Sequence, residues 1–205
     1  MAKTNNKAKP KRVRRDRTEE ILETATYLFA EHGFQGATLS LIAESVGLTE
    51  AGVLHYFPSK VHLLQGVLAY HEQKDIDRYL GMIETKKNNV SEIFRLLEDL
   101  NAQNEKIPGL IQLFTVLVGE SVRSEHPSHE YFVGRYRQGR DMYINQFFKL
   151  IKTEIRPDVD LNELASLIMA VMDGLQIQWL LDPKKVNMTA TFNLFSKIVV
   201  EYLEK

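Results

Sequence analysis

The chain of 205 residues contains no cysteine. That excludes a disulfide framework, thiolate metal ligation and cysteine catalysis, and it suits a reducing compartment, with the cytoplasm as the expected location. An uninterrupted apolar run is also missing. The most apolar stretch, Leu164 to Leu181, is broken by Ser166, Asp173, Gly174, Gln176 and Gln178, so no membrane span is expected. The basic N-terminus has no apolar segment behind it and gives no expectation of a secretory signal. No stretch alternates polar and apolar residues for long enough to predict a sheet. Nor is there a catalytic constellation, since no glycine-rich phosphate loop follows a strand and no nucleophile has an obvious base. His126 and His129, with Glu130 nearby, have a spacing a metal site can use, yet they flank Pro127 and read as a surface pair in a loop. No enzyme, metal or cofactor is expected.

What is present is an ordinary globular balance, 44% hydrophobic and 26% charged residues. The formal net charge of −1 conceals a division. Residues 1–17 hold Lys3, Lys7, Lys9, Lys11, Arg12, Arg14, Arg15 and Arg17 against Asp16, a balance of +7. The rest holds 18 Lys and Arg against 26 Asp and Glu, a balance of −8. Residues 1–16 are therefore expected to be a disordered basic arm of the kind that binds polyanions, nucleic acid first; a solubilising tail is the plainer reading.

After Arg17 almost every segment has helical period. Ile21, Leu22, Ala25, Leu28 and Phe29 form one stripe, and Gly33 supplies a left-handed stop. Thr38 and Thr49 are good N-caps for two short helices, the first stopped by Gly47 and the second by Pro58. A long helix follows Pro58. Further helices are expected near 91–104, 108–124, 128–155, 160–181 and 189–204, with Pro108, Pro127, Pro157 and Pro183 at the joints. The fold class is all-α: a three-helix N-terminal unit over 17–62 and a helical bundle over 63–205.

Residues 38–58 have the spacing of a helix-turn-helix. Ala43 is small where two helix backbones must approach, Gly47 can take the left-handed turn position, and Ile42, Val46, Leu48 and Val53 can bury the inner faces. With Val53 inward at about 100° per residue, Ala51 and His55 point outward, flanked by Gly52 and Leu54. Ala51 and Leu54 suit thymine methyl groups, and Gly52 permits close backbone approach. His55 and Tyr56 suit phosphates or base edges; a solvated His55 and a packing Tyr56 are the duller accounts. Glu50 can accept from a cytosine amine, but its place in a first turn favours interaction with the helix dipole. Thr38 and Lys60 stand where phosphates would lie, and Arg14 or Arg17 can reach an adjacent minor groove.

The run Gly47-Leu48-Thr49-Glu50-Ala51-Gly52-Val53-Leu54-His55-Tyr56-Phe57-Pro58-Ser59-Lys60 resembles the signature of TetR-type (tetracycline-repressor) transcription regulators, as does the block from Arg17 to Gly36. The resemblance implies a DNA-binding unit of three helices and a helical effector-binding and dimerisation domain, usually in a repressor. It implies phosphate contacts by Thr38, Tyr56 and Lys60, and base or backbone contacts by Thr49, Glu50, Ala51, Gly52 and His55. Glu50 stands where a basic residue is common and Leu54 where an aromatic is common. Residues 18–60 carry Glu19, Glu20, Glu23, Glu31, Glu44 and Glu50 against Lys60 alone, so the arm is the expected main source of phosphate neutralisation.

In the larger domain, Leu161, Leu164, Leu167, Ile168, Val171, Leu175 and Trp179 continue one stripe, and Phe192, Phe195, Ile198, Val199 and Tyr202 another. Helices apolar over so much of their circumference must be covered by the domain core, a second subunit, or both. The resemblance implies a homodimer through the helices near 160–181 and 189–204, reading a pseudo-palindromic double-stranded operator. An effector pocket is expected between about 91 and 180. Phe114, Tyr143, Phe147, Asp173, Gln176 and Trp179 are candidates by type, ordinary packing being the alternative for each. The sparse ionisable groups in those stripes suggest a largely apolar small molecule. An all-helical partner-binding or scaffold protein without effector response is the rival reading.

Overall fold

The computed structural model describes residues 17–83, 89–151 and 155–204, with side chains outside 78–83. Among them there is no strand; the chain is a succession of helices, as its periodicity dictates. Helix α1, Arg17–Gly36, buries the expected stripe from Ile21 to Phe29. Gly33 takes φ 68°, a conformation that L side chains avoid, and kinks the helix there. Helices α2, Leu39–Ser45, and α3, Glu50–Tyr56, are too short to persist alone and are fixed by caps and packing. Thr38 Oγ1 accepts from the Leu41 amide and Thr49 Oγ1 from the Gly52 amide, both at 3.1 Å. Gly47 turns between them at φ 65°.

Helix α4, Lys60–Ile83, runs out of this unit into the bundle. There it meets α5, Val90–Asn104; α6, Pro108–Glu120; α7, His129–Met142; α8, Leu161–Leu181; and α9, Met188–Leu203. Two expected helices differ. The one beginning at Pro108 stops at Glu120, where Ser121 caps it and its own hydroxyl engages His126. The one expected over 128–155 changes winding, becoming a π turn at Tyr143–Phe147 and a 3-10 turn at Phe148–Ile151. Tyr143, Phe147, Phe148 and Ile151 are all buried across this change of winding.

Two apolar cores result. One joins α5, the turns at 143–151, α8 and α9. The other joins α1–α4 with Leu110, Leu113, Phe114 and Leu117 of α6 and Phe132 of α7. The first residues of α6 lie hard against α1: a Cβ on Gly109 would stand 2.7 Å from the Ala30 Cα and carbonyl oxygen. The reader unit and the bundle are thus joined by α6 as well as by α4.

Candidate nucleic-acid interface and internal cavity

The helix-turn-helix residues behave as their spacing demands. Ile42, Ala43, Val46 and Val53 are buried, Leu48 is half-buried, and Ala51, His55 and Tyr56 face solvent on α3. His55 and Tyr56 meet edge to face, with ring centroids 5.6 Å apart. A Cβ on Gly52 would meet only ordinary contacts, Thr49 Oγ1 at 3.4 Å and Leu48 Cβ at 3.5 Å. The fold therefore tolerates a side chain there, and its absence leaves the backbone open from outside.

The charged candidates are engaged within the protein. Ser40 Oγ donates to Glu50 Oε2 at 2.5 Å, which ties the start of α3 to α2. Lys60 donates to the Gln35 carbonyl at 3.2 Å and lies 4.7 Å from the Phe34 ring centroid. Burial lowers its pKa, and it clasps the end of α1 to the start of α4. Arg17 bridges Glu20 at 2.7 Å and the Val46 carbonyl at 3.3 Å. Thr38 and Thr49 use their oxygens as caps and keep their hydroxyl protons as donors. Arg14 and the rest of the arm, 1–16, lie outside the described residues.

A cavity of about 160 Å³ lies among α4, α5, α6, α7 and α8. Phe114, Tyr143, Phe147, Asp173 and Gln176 line it. Trp179 does not; nearly one turn beyond Gln176 along α8, it packs against the bundle core past the end of the cavity. Apolar walls come from Leu68, Leu97, Leu100, Leu110 and Met172. The polar groups that pattern-reading missed are His71, Glu72 and Asp75 on α4, Asn104 on α5 and Arg135 on α7. Their signal was available, since positions 71, 72 and 75 share one face of a helix whose preceding turns are apolar.

These groups are organised. Arg135 Nε lies 3.1 Å from Glu72 Oε2, outside hydrogen-bonding alignment, and the guanidinium lies 4.5 Å from the Phe114 centroid. Tyr136 Oη donates to Asp173 Oδ2 at 2.6 Å. Burial raises the Asp173 pKa despite that bond, and burial together with the Asp173 charge raises that of Tyr136. Thr26 donates its only hydroxyl proton to the Leu22 carbonyl at 2.7 Å, so it accepts from His71 Nε2 at 3.2 Å. In the neutral ring that places the proton on Nε2 and leaves Nδ1 as an acceptor, and burial lowers the His71 pKa against the opposing charge of Asp75. His71 therefore belongs to the cavity wall and touches α1.

The suspected histidine pair is structural. His126 Nδ1 accepts from the Ser128 amide at 3.2 Å and His129 Nδ1 lies 2.9 Å from the Ser121 carbonyl, closing the α6–α7 loop. Among the described residues no group of three His, Asp or Glu could hold a metal.

Comparison with known proteins agrees with this geometry. Residues 21–67 match the model of bacterial regulatory proteins of the tetR family, and residues 93–203 match the C-terminal model of BetI-type transcriptional repressors. The nucleoid occlusion factor SlmA of Salmonella dublin is 26% identical over 96% of this chain and 100% of its own length. A TetR transcription regulator from Haloarcula marismortui superposes with TM-score 0.71 at 23% identity, covering 93% of this chain and 99% of that one. FadR of Bacillus subtilis in complex with stearoyl-CoA superposes with TM-score 0.68 at 17% identity, covering 90% and 98%.

Proposed function

The chain belongs to the TetR family of bacterial regulatory proteins, DNA-binding regulators rather than enzymes, and from that premise we propose that it is a homodimeric repressor released from its operator by a small molecule. One observation carries the reading. Helix α4 starts at Lys60 against the reader unit and, at Leu68 to Ile76, lines the cavity, so one rigid element spans both sites. The contact of Gly109 with Ala30 gives α6, which also lines the cavity, a second hold on α1. A ligand that favours one spacing of α4 and α6 changes the separation of two reader helices that must meet half-sites about 34 Å apart.

On DNA, Ala51, Gly52 and His55 face the major groove, with Thr49 and Glu50 at its edge. Tyr56, Thr38 and, after exchange of its internal contacts, Lys60 take phosphates. Arg17 and Arg14 continue the contact into the arm, which supplies most of the positive charge. Dimerisation is supported by α8 and α9. Helix α8 is long and apolar enough to cross a membrane by length and composition alone, yet only 33% of its most apolar window is buried within one chain. Leu167, Ile177, Leu181, Leu194, Ile198 and Tyr202 are exposed on these two helices and call for a second copy. This reading places the protein in the cytoplasm, with the DNA.

The SlmA relative, a nucleoid occlusion factor by name, favours a second reading, in which the DNA-bound protein acts through a protein partner. Titration of the purified protein against its selected duplex, with and without fractionated small-molecule extract, separates the two. Release by a fraction from the wild type but not from a cavity-filling Leu100→Trp variant supports the effector reading. Retention of DNA in every fraction overturns it and favours the partner reading.

A further inference from the structure

The cavity wall carries three carboxylates, Glu72, Asp75 and Asp173, against one guanidinium, Arg135. Arg135 is compensated by Glu72 and stacked on Phe114, so the wall beside the Gln176 amide keeps the negative charge of Asp173, whose hydrogen-bond partner is the neutral Tyr136 hydroxyl. Independently of that charge, Gln176 is 5% exposed and its Oε1 is buried without a hydrogen-bond partner. A buried acceptor left unmet is unfavourable by about 1–3 kcal/mol, so one on a cavity wall marks where a donor should arrive. His71 adds another acceptor, since Thr26 fixes its proton on Nε2. The remaining walls are leucine, isoleucine, methionine and aromatic side chains with Gly139, and the Asn104 amide of α5 is the one further polar side chain among them. At about 160 Å³ the space matches cavities that admit a single aromatic ring.

We infer that the effector of this cavity is a cation bearing N–H donors, a protonated amine or amidine on an apolar body of about one ring, held by Asp173 and the Gln176 amide oxygen. The inference rests on reading the cavity as the effector site and adds the chemical class. An anion would have to compete with Glu72 for Arg135 while lying near Asp75 and Asp173, and it would leave Gln176 Oε1 unmet. A quaternary ammonium meets the charge but has no N–H for Gln176. A neutral apolar molecule meets neither.

Four probes of one body separate these classes: 2-phenylethylammonium, phenethyltrimethylammonium, 2-phenylethanol and phenylacetate. Binding to the purified full chain is measured by calorimetry, and release of duplex DNA is measured in parallel. The ammonium should bind tightest, at least tenfold tighter than the alcohol and more so than the carboxylate. Asp173→Asn should remove at least tenfold from the ammonium and leave the alcohol unchanged. Gln176→Leu should narrow the gap between the ammonium and its trimethyl analogue. Thermal unfolding of each variant without probe shows whether it remains folded, and the two variants test the site separately. Equal binding of the alcohol or carboxylate overturns the charge assignment while the effector reading stands. Equal or tighter binding of the trimethyl compound overturns the N–H assignment. Silence of all four overturns the inference outright, whereas the effector reading falls only if the extract fractions are silent too.

Discussion

At the scale of single residues, side chains that serve the fold and those that serve ligands can be told apart by what they touch. Gly52 lies within a helix, at a backbone conformation open to any residue, with room for a Cβ. Gly52→Ala should therefore stabilise the protein by about 1 kcal/mol through helix propensity, yet weaken specific DNA binding if the groove approaches that backbone. Denaturant unfolding and operator titration check the two halves separately. His55 has no such structural duty, and His55→Ala should weaken specific binding about tenfold with unchanged thermal stability, the size expected when one base loses its reader. Asp173 is the reverse case. Its carboxyl faces Tyr136, Tyr143 and Arg135, and burial raises its pKa above 3.8. A raised carboxyl pKa means that the ionised form opposes folding above the raised value and that the opposition vanishes below the ordinary one. Asp173→Asn should raise the unfolding temperature at neutral pH, with the gain closing as pH falls towards 3.8. Thermal unfolding across pH tests this, and no gain at neutral pH contradicts it.

At the scale of elements, α6 is the least obvious part of the design. Gly109 presses on the Ala30 backbone, which cannot move aside as a side chain can. Gly109→Ala should destabilise the chain by about 1–3 kcal/mol and alter how strongly a ligand changes DNA affinity. Chemical denaturation and ligand-dependent DNA titration give the two numbers. Helices α1, α2 and α3 were legible from the sequence because caps, a left-handed glycine and one apolar stripe agree at every step. The cavity was half legible. Aromatic and amide residues on α6, α7 and α8 stand out by type, but pocket membership depends on which way a helix faces its neighbours. Trp179 therefore falls outside, while His71, Glu72 and Asp75 enter from α4, ahead of the stretch expected to hold the pocket, and Asn104 and Arg135 enter from within it. The change of winding at Tyr143 was not legible either, since α and π windings share the same apolar pattern over five residues.

At the scale of the whole molecule, charge and apolar surface are each divided. The described reader unit is acidic and its Arg17 and Lys60 are engaged internally, and the proposed function accordingly gives most of the grip on phosphates to the arm. Deleting residues 2–15 removes Lys3, Lys7, Lys9, Lys11, Arg12, Arg14 and Arg15. The slope of log affinity against log salt should become shallower by roughly 0.9 for each phosphate that the shortened chain no longer neutralises. An unchanged slope contradicts the division. The proposed function gives the exposed apolar residues of α8 and α9 the other half, two-fold assembly. A Leu194→Glu, Ile198→Glu double variant, altered only where one chain is exposed, should sediment as a folded monomer and bind DNA weakly. All of this converges on one object, a two-fold reader of duplex DNA. Selection of bound sequences from random DNA by the purified full chain tests it most directly. Enrichment of a pseudo-palindrome with half-sites one helical turn apart, lost in the His55→Ala variant, is the expected result; no enriched sequence, or a single asymmetric site, contradicts it.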